Sequence, residues 1–128
     1  MTLGPDRGSV VRVDATGLAR GSEAGAVHSI LAVVVQADRF RYGRTVLVVP
    51  FTSNLAHAQD PRGVRLVATR GSGLKQESVA MCWQLMAVDR DRLVGSPVGR
   101  IAPAGMDLIA KAIAILIDYQ PGFSAEGP

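Results

Sequence analysis

The sequence predicts a mainly β protein that ends in a helix: a small antiparallel barrel or sheet closed by a C-terminal helix. Three observations carry this. Apolar, β-branched runs of strand length recur at residues 10–14, 30–35 and 45–51. Turn residues such as Pro61, Gly63 and Gly71-Ser72-Gly73 separate the later ones. Spacing by threes and fours appears only at the end, at Met106, Ile109, Ile113, Leu116 and Ile117.

Taken in order, Arg7-Gly8-Ser9-Val10-Val11-Arg12-Val13-Asp14 alternates, which predicts a first strand over 10–14. Residues 15–26 are small and glycine-rich, with Gly17, Gly21 and Gly25. They contain neither Gly-Lys-Ser/Thr nor G-x-G-x-x-G, so they read as a mobile loop of the length that often carries function. Residues 27–36 form the second strand, with 30–35 as its buried part. The connection 37–44 interleaves Arg39, Arg41 and Arg44 with Phe40 and Tyr42. Such a loop can hold phosphates on its arginines and stack bases on its rings. The plain alternative is a solvated hairpin whose rings fold back onto the core.

The third strand is 45–51, followed by a polar connection over 55–63, a strand over 64–68, a tight turn at Gly71-Ser72-Gly73 and one long apolar strand over 78–88. Residues 89–93 suggest a helical turn and 98–101 a short strand. Pro103 suits the first position of the closing helix. Ala102 before it cannot cap the first-turn amides, so packing must hold that helix. These elements make one domain over residues 1–119. The two prolines and two glycines from Gln120 onward give a flexible tail over 120–128.

At 128 residues, 48% apolar and 20% charged, the chain can fill one core. No apolar run approaches the roughly 20 residues of a membrane helix, and residues 1–14 hold no apolar signal-peptide segment. Cys82 stands alone in an apolar run, so an internal disulfide is impossible and a buried, inert thiol is expected. The expectation is a soluble cytoplasmic protein without a membrane partner. The net charge of +3, with arginine far above lysine, suits phosphate without proving nucleic-acid binding.

The most informative stretch is Thr45-Val46-Leu47-Val48-Val49-Pro50-Phe51-Thr52-Ser53-Asn54, an apolar strand ending in two hydroxyls and an amide. Polar groups where a buried strand surfaces are held rigidly, as reacting groups must be. Ser and Asn are also ordinary turn residues. His28 and His57 stand far apart and off ligand spacing from Cys82, so no metal site is expected. No G-x-S-x-G elbow exists, and nothing points to a cofactor. What remains is proton transfer and oxyanion stabilisation by side chains and amides. RNA suits that machinery because its 2′-hydroxyl supplies the nucleophile.

Several stretches, in order, resemble one family. They are Arg7-Gly8-x-Val10 with Val13-Asp14, Arg20-Gly21-Ser22-Glu23-x-Gly25, and Val33-Val34-Val35-Gln36-x-Asp38. Next come Val48-Val49-Pro50-x-Thr52-Ser53-Asn54 and Gly73-Leu74-Lys75-x-Glu77-Ser78-Val79-Ala80 with Gln84 and Val88-Asp89. Arg92-Leu93, Gly99-Arg100 and Pro103 follow. Over about residues 7 to 119 the sequence resembles the MazF/PemK (Kid-like) toxins of bacterial toxin–antitoxin systems. The resemblance implies an SH3-like barrel, a homodimer, and metal- and cofactor-independent cleavage of single-stranded RNA through 2′-hydroxyl attack. It also implies a cognate antitoxin partner covering the RNA groove.

Residue by residue, Thr52 matches the family's catalytic threonine, Ser53 and Asn54 the polar turn beside it, and Glu23 the loop glutamate. The family's catalytic arginine follows that glutamate by five residues and precedes a proline; here the position holds His28, followed by Ser29. Counted back from Gln36 it falls on Ile30. A histidine can move protons near neutral pH, so His28 either takes over the arginine's work or merely decorates the loop. Arg20 and the arginines Arg39, Arg41 and Arg44 are the candidates for phosphate, and Asn54 for RNA contact. Trp83 and Met86 stand where the family has an acidic and a basic residue; Trp83 is either a base-stacking ring or core. Two other functions stay open: a weakened member that binds antitoxin or nucleic acid without cutting, and a barrel toxin that poisons a topoisomerase.

Overall fold

A computed structural model describes residues 3–17 and 29–120. Among these residues the chain forms seven strands and one α-helix: β1 (Ser9–Asp14), β2 (Ser29–Val34), β3 (Thr45–Thr52), β4 (Gly63–Leu66), β5 (Ser78–Met81), β6 (Met86–Asp89), β7 (Leu93–Arg100) and α1 (Pro103–Leu116). The strands run antiparallel in the order β4-β5-β3-β2-β1-β7, with β6 also paired to β3. The expected mainly β, antiparallel architecture with its C-terminal helix is therefore present. The sheet curls without closing into a full ring of pairings.

β3 organises the sheet. Its one edge pairs with β2 through Ala32 to Pro50 and Val34 to Val48. Its other edge is shared: Thr45–Val48 pair with β6, and Phe51 and Thr52 with β5. The single strand expected over 78–88 is thus two strands, broken by a 3-10 turn at Cys82–Gln84. The break has a physical reason. Pro50, which has no N–H to give a ladder, falls in the gap between the two partners. β5 then turns away to pair with β4.

Strands β1 to β3 bury both faces, which explains their nearly continuous apolar sequence. Val10, Val33 and Val49 point into one core with Ile109, Met106 and Ala112 of α1. Val11, Val13, Ala32, Val34, Val46 and Val48 form a second core with Val88 on the other face. Cys82 is fully buried in the first, and desolvation pushes its thiol up to about 11.

Other expectations shift. The strand placed at 98–101 is longer and earlier, over Leu93–Arg100. As a sheet edge it tolerates Pro97 and an exposed surface. The strand expected over 64–68 is Gly63–Leu66. The polar connection after β3 contains a 3-10 turn, Leu55–Gln59, and the helical turn expected at 89–93 is the 3-10 turn Arg90–Arg92. On α1, Met106 and Ile109 are buried as expected and Ala112 joins them. Ile117 leaves the stripe: it is the C-cap residue and 65% exposed. Ala102 makes no side-chain cap, so packing does hold the helix start.

The helix ends in a Schellman arrangement. Asp118 N–H donates to Ile115 O at 3.2 Å and Tyr119 N–H to Ala114 O at 2.8 Å, with Asp118 at φ 57°. Glycine occupies that left-handed conformation without the Cβ penalty. Asp118→Gly is therefore expected to stabilise the protein by up to about 1 kcal/mol, seen as a rise of a few degrees in melting temperature. No rise would mean the carboxylate compensates locally.

Among the described residues no helix is long and apolar enough to cross a membrane.

Candidate functional site

Thr52 closes β3 where the strand reaches the surface. Its position is fixed by β5, along one edge: Phe51 opposes Ala80, and Thr52 opposes Val79. The hydroxyl is oriented by accepting a hydrogen bond from Asn54 N–H at 3.2 Å. That interaction uses a lone pair and leaves the hydroxyl proton to give. Among the described residues no acceptor for it is present, so the partly exposed Thr52 keeps a donor for a ligand. Asn54 is engaged in structure. Its Oδ1 accepts from Ala56 N–H at 3.1 Å and so caps the Leu55–Gln59 turn. Ser53 beside them is exposed.

Thr52 and Ser53 line a shallow depression of about 220 Å³ with Leu31, Phe51, Leu74, Lys75, Gln76 and Ser78. The register puts the approach to β5 directly beside the end of β3, and this carries Lys75 there. Lys75 is exposed and has no ion-pair partner among the described residues. Gln76 is positioned by Ser78, whose hydroxyl donates to the Gln76 carbonyl at 2.8 Å. The depression therefore joins a hydroxyl donor, a second hydroxyl and an unpaired cation on an apolar floor. Such a set stabilises an anionic group at a charged, extended ligand.

The lysine was missing from the sequence-based candidates. No periodicity or spacing marks it. Only the β3–β5 pairing brings it to Thr52.

The loop that carries Lys75 is held by backbone contact with β7. Arg100 N–H donates to Gly71 O at 2.8 Å. Gly99 lies against Ser72, and Gly73 adopts φ 75° against the Val98 carbonyl. No side chain fits between these segments.

The other candidates fall elsewhere. Arg20, Glu23 and His28 lie outside the described residues. Ile30, the alternative count for the missing arginine, is partly buried against the second core. Arg39, Arg41 and Arg44 precede β3 at its opposite end, about 25 Å from Thr52 at the usual strand rise. Each has a local contact. Arg39 lies 5.0 Å over the Phe40 ring, Arg41 Nε donates to Gly4 O at 2.9 Å, and Arg44 pairs with Asp89 at 3.5 Å. Phe40 and Tyr42 are 56% and 60% exposed, so their rings do not fold back onto the core. One protomer does not bring this loop and Thr52 together.

Trp83 belongs to neither core. It is partly exposed in the Cys82–Gln84 turn, with the His57 ring 5.6 Å away and the Arg62 guanidinium 5.5 Å over it. Met86 is partly buried against the second core. Among the described residues no three His, Cys, Asp or Glu side chains gather as metal ligands would.

A curled antiparallel β sheet with a terminal helix, and a hydroxyl beside a lysine at a strand end, defines a small β module with a surface depression whose groups suit an anionic ligand. Comparison with known proteins specifies it further. Residues 6–117 match the model of the PemK-like, MazF-like toxins of type II toxin–antitoxin systems, and the chain belongs to that family. A probable endoribonuclease MazF of Mycolicibacterium smegmatis is 32% identical over 102 residues, covering 80% of this chain and 90% of that protein. Among solved structures, MazF from Deinococcus radiodurans superposes with a TM-score of 0.71 at 20% identity, covering 92% of this chain and 99% of that one. An endoribonuclease in complex with its cognate antitoxin, from a mycobacterial species, gives 0.69 at 22% identity, covering 91% and 98%. At these identities the structural likeness concerns the fold.

Proposed function

We propose that this chain is the toxin of a toxin–antitoxin pair and cuts single-stranded RNA without a metal or cofactor. The observation that carries the proposal is the Thr52 hydroxyl, oriented by Asn54 N–H with its own proton unspent, beside Lys75. In the reaction the RNA 2′-oxygen bonds to the adjacent phosphorus as the bond to the 5′-oxygen breaks. One proton leaves the 2′-hydroxyl and one reaches the departing 5′-oxygen; the product is a cyclic phosphate. Thr52 donates to a non-bridging phosphate oxygen, where negative charge develops, and Lys75 offsets that charge. Ser53 is a further donor at the same phosphate. His28 and Glu23 are proposed for the two proton transfers, and Arg20 and Asn54 for holding the RNA backbone.

Two further parts of the proposal concern partners. The family membership supports a cognate antitoxin. A homodimer is supported by the edge of β7 ahead of the segment that the Gly71–Gly73 turn covers, where Val94 is 48% exposed, together with an exposed Leu3. In such a dimer, Arg39, Arg41 and Arg44 could reach RNA bound at the partner's site. The domain is proposed to span 1–119, and the protein to act in the cytoplasm.

Incubation with a long single-stranded RNA in EDTA tests the proposal, with Lys75→Ala compared at equal concentration. The variant is expected to cut roughly ten-fold more slowly, the effect of one charge-assisted contact to an anion. Lys75→Arg should restore most of the rate. An unchanged rate in Lys75→Ala would remove Lys75 from the site while leaving Thr52 in it.

A further inference from the structure

We infer that Trp83, with His57 and Arg62 against it, is a stacking platform for an RNA base next to the turn that follows Thr52–Asn54, and that it sets base preference there. This rests on the RNA-cleaving reading above. It adds a specificity-determining site that the phosphate chemistry does not require.

Four observations support it. First, position: His57 N–H donates to Asn54 O at 3.2 Å, so the platform begins one turn after the Thr52–Asn54 site. Asn54 also caps the turn that carries His57, which ties the two places into one rigid unit.

Second, geometry: the imidazole meets the indole at 51°, with ring centroids 5.6 Å apart. His57 is exposed and Trp83 only partly buried. At that tilt the two rings are not stacked face to face, and both keep solvent exposure.

Third, charge: Asp60 grips Arg62 through Nε at 2.9 Å and a terminal nitrogen at 2.7 Å. A guanidinium whose charge is met by its own carboxylate offers a plane more than a free cation. The site therefore suits a base better than a phosphate. The same bonds from Arg62 hold the Asp60 carboxyl down to about 2. The clamp is thus complete above the ordinary carboxylate range near 4 and is lost only as the pH falls from there toward about 2.

Fourth, rigidity: Cys82 N–H donates to Arg62 O at 3.1 Å, which locks the Trp83 turn to the Arg62 segment. A Cβ at Gly63 would lie 2.7 Å from His57 O, so the His57 turn packs directly on β4. A tryptophan wanted only for packing would be in a core, and this one is in neither.

Trp83 is the chain's single tryptophan, so its fluorescence reports on this place alone. Uncleavable 2′-O-methyl homopolymers of A, C, G and U are titrated separately into the wild-type protein. Quenching is expected, and to different extents with different bases. Binding of the same oligonucleotides, fluorescein-labelled, should weaken roughly five- to hundred-fold in Trp83→Leu, the range of one base–aromatic stack. Trp83→Phe should keep most of the affinity. The cut sites of Trp83→Leu on a long RNA should be less selective at one position.

If the wild type cuts RNA but no homopolymer quenches it, and Trp83→Leu cuts the same sites at the same rate, the platform is overturned and the nuclease stands. If quenching occurs without any cutting, the platform stands and the nuclease falls. Should Trp83→Leu fail to fold, the wild-type titration and Trp83→Phe still decide.

Discussion

Thr52→Ala is expected to slow RNA cleavage by about 10²–10³-fold, the cost of removing one preorganised donor to a developing oxyanion. The argument is local. Thr52 is held by its pairing with Val79, and its hydroxyl by Asn54 N–H, so no reorganisation is needed as charge appears on the phosphate. Deleting the hydroxyl leaves the ladder untouched, because the pairing of Thr52 with Val79 is a backbone contact. The far-ultraviolet circular dichroism and melting temperature should therefore stay close to wild type. Thr52→Ser keeps a hydroxyl but gains rotamers that the β-branched residue excludes. It should fall between wild type and alanine. A Thr52→Ala protein that cuts at the wild-type rate would move the chemistry away from the end of β3. A uniform loss of binding with unchanged turnover would make Thr52 a docking group only.

Gly99→Ala is expected to destabilise the protein by about 3 kcal/mol or more, at the upper end of overpacking effects. A Cβ there would lie 2.3 Å from Ser72 C, 2.4 Å from Ser72 O and 2.5 Å from Gly73 N. These are backbone atoms, and no side chain can swing aside to make room. The Gly71–Leu74 turn must move away from β7, and Arg100 N–H then loses Gly71 O. Against a total stability of roughly 5–15 kcal/mol, the melting temperature should fall by about 10 °C. Gly71→Ala is the control: nothing lies within 4 Å of its Cβ, and the change should be nearly neutral. The same displacement reaches the site, since Lys75 follows that turn directly. Any folded Gly99→Ala protein should therefore also cut RNA more slowly. Melting curves for both variants at one protein concentration check the prediction, and equal midpoints would contradict it.

Much of this fold was legible because its strands bury both faces. Val10 to Val13 and Val46 to Val49 stand out as apolar runs wherever the sequence is read, and α1 shows its period plainly. The split between β5 and β6 was not read, because residues 78–88 contain neither glycine nor proline. Its signal lay in the partner strand, where Pro50 cannot support a continuous ladder. The sequence pattern shows β7 only from Val98 because Gly95, Pro97 and Gly99 dilute it, which an exposed edge strand tolerates. Ile117 fits the helical spacing, but the helix has ended there.

The site divides in the same way. Thr52, Ser53 and Asn54 are legible as a polar end to an apolar strand; Thr52 and Ser53 line one depression, while Asn54 caps the turn that follows. Lys75 was not legible, because its approach to Thr52 depends on a pairing between distant segments. The cluster of Arg39, Arg41 and Arg44 stood out in sequence, yet the length of β3 separates it from Thr52. The apolar run around Trp83 favours a core position, yet the ring belongs to neither core and is partly exposed beside His57 and Arg62.

The most direct test of the central claim is the chemistry of the cut end. Purified protein is incubated with a long single-stranded RNA in EDTA, and the fragments are analysed by mass. Fragments ending in a 2′,3′-cyclic phosphate, absent or greatly reduced with Thr52→Ala, are expected. Intact RNA at high protein concentration, or fragments ending in a free 3′-hydroxyl, would contradict 2′-hydroxyl attack at the end of β3.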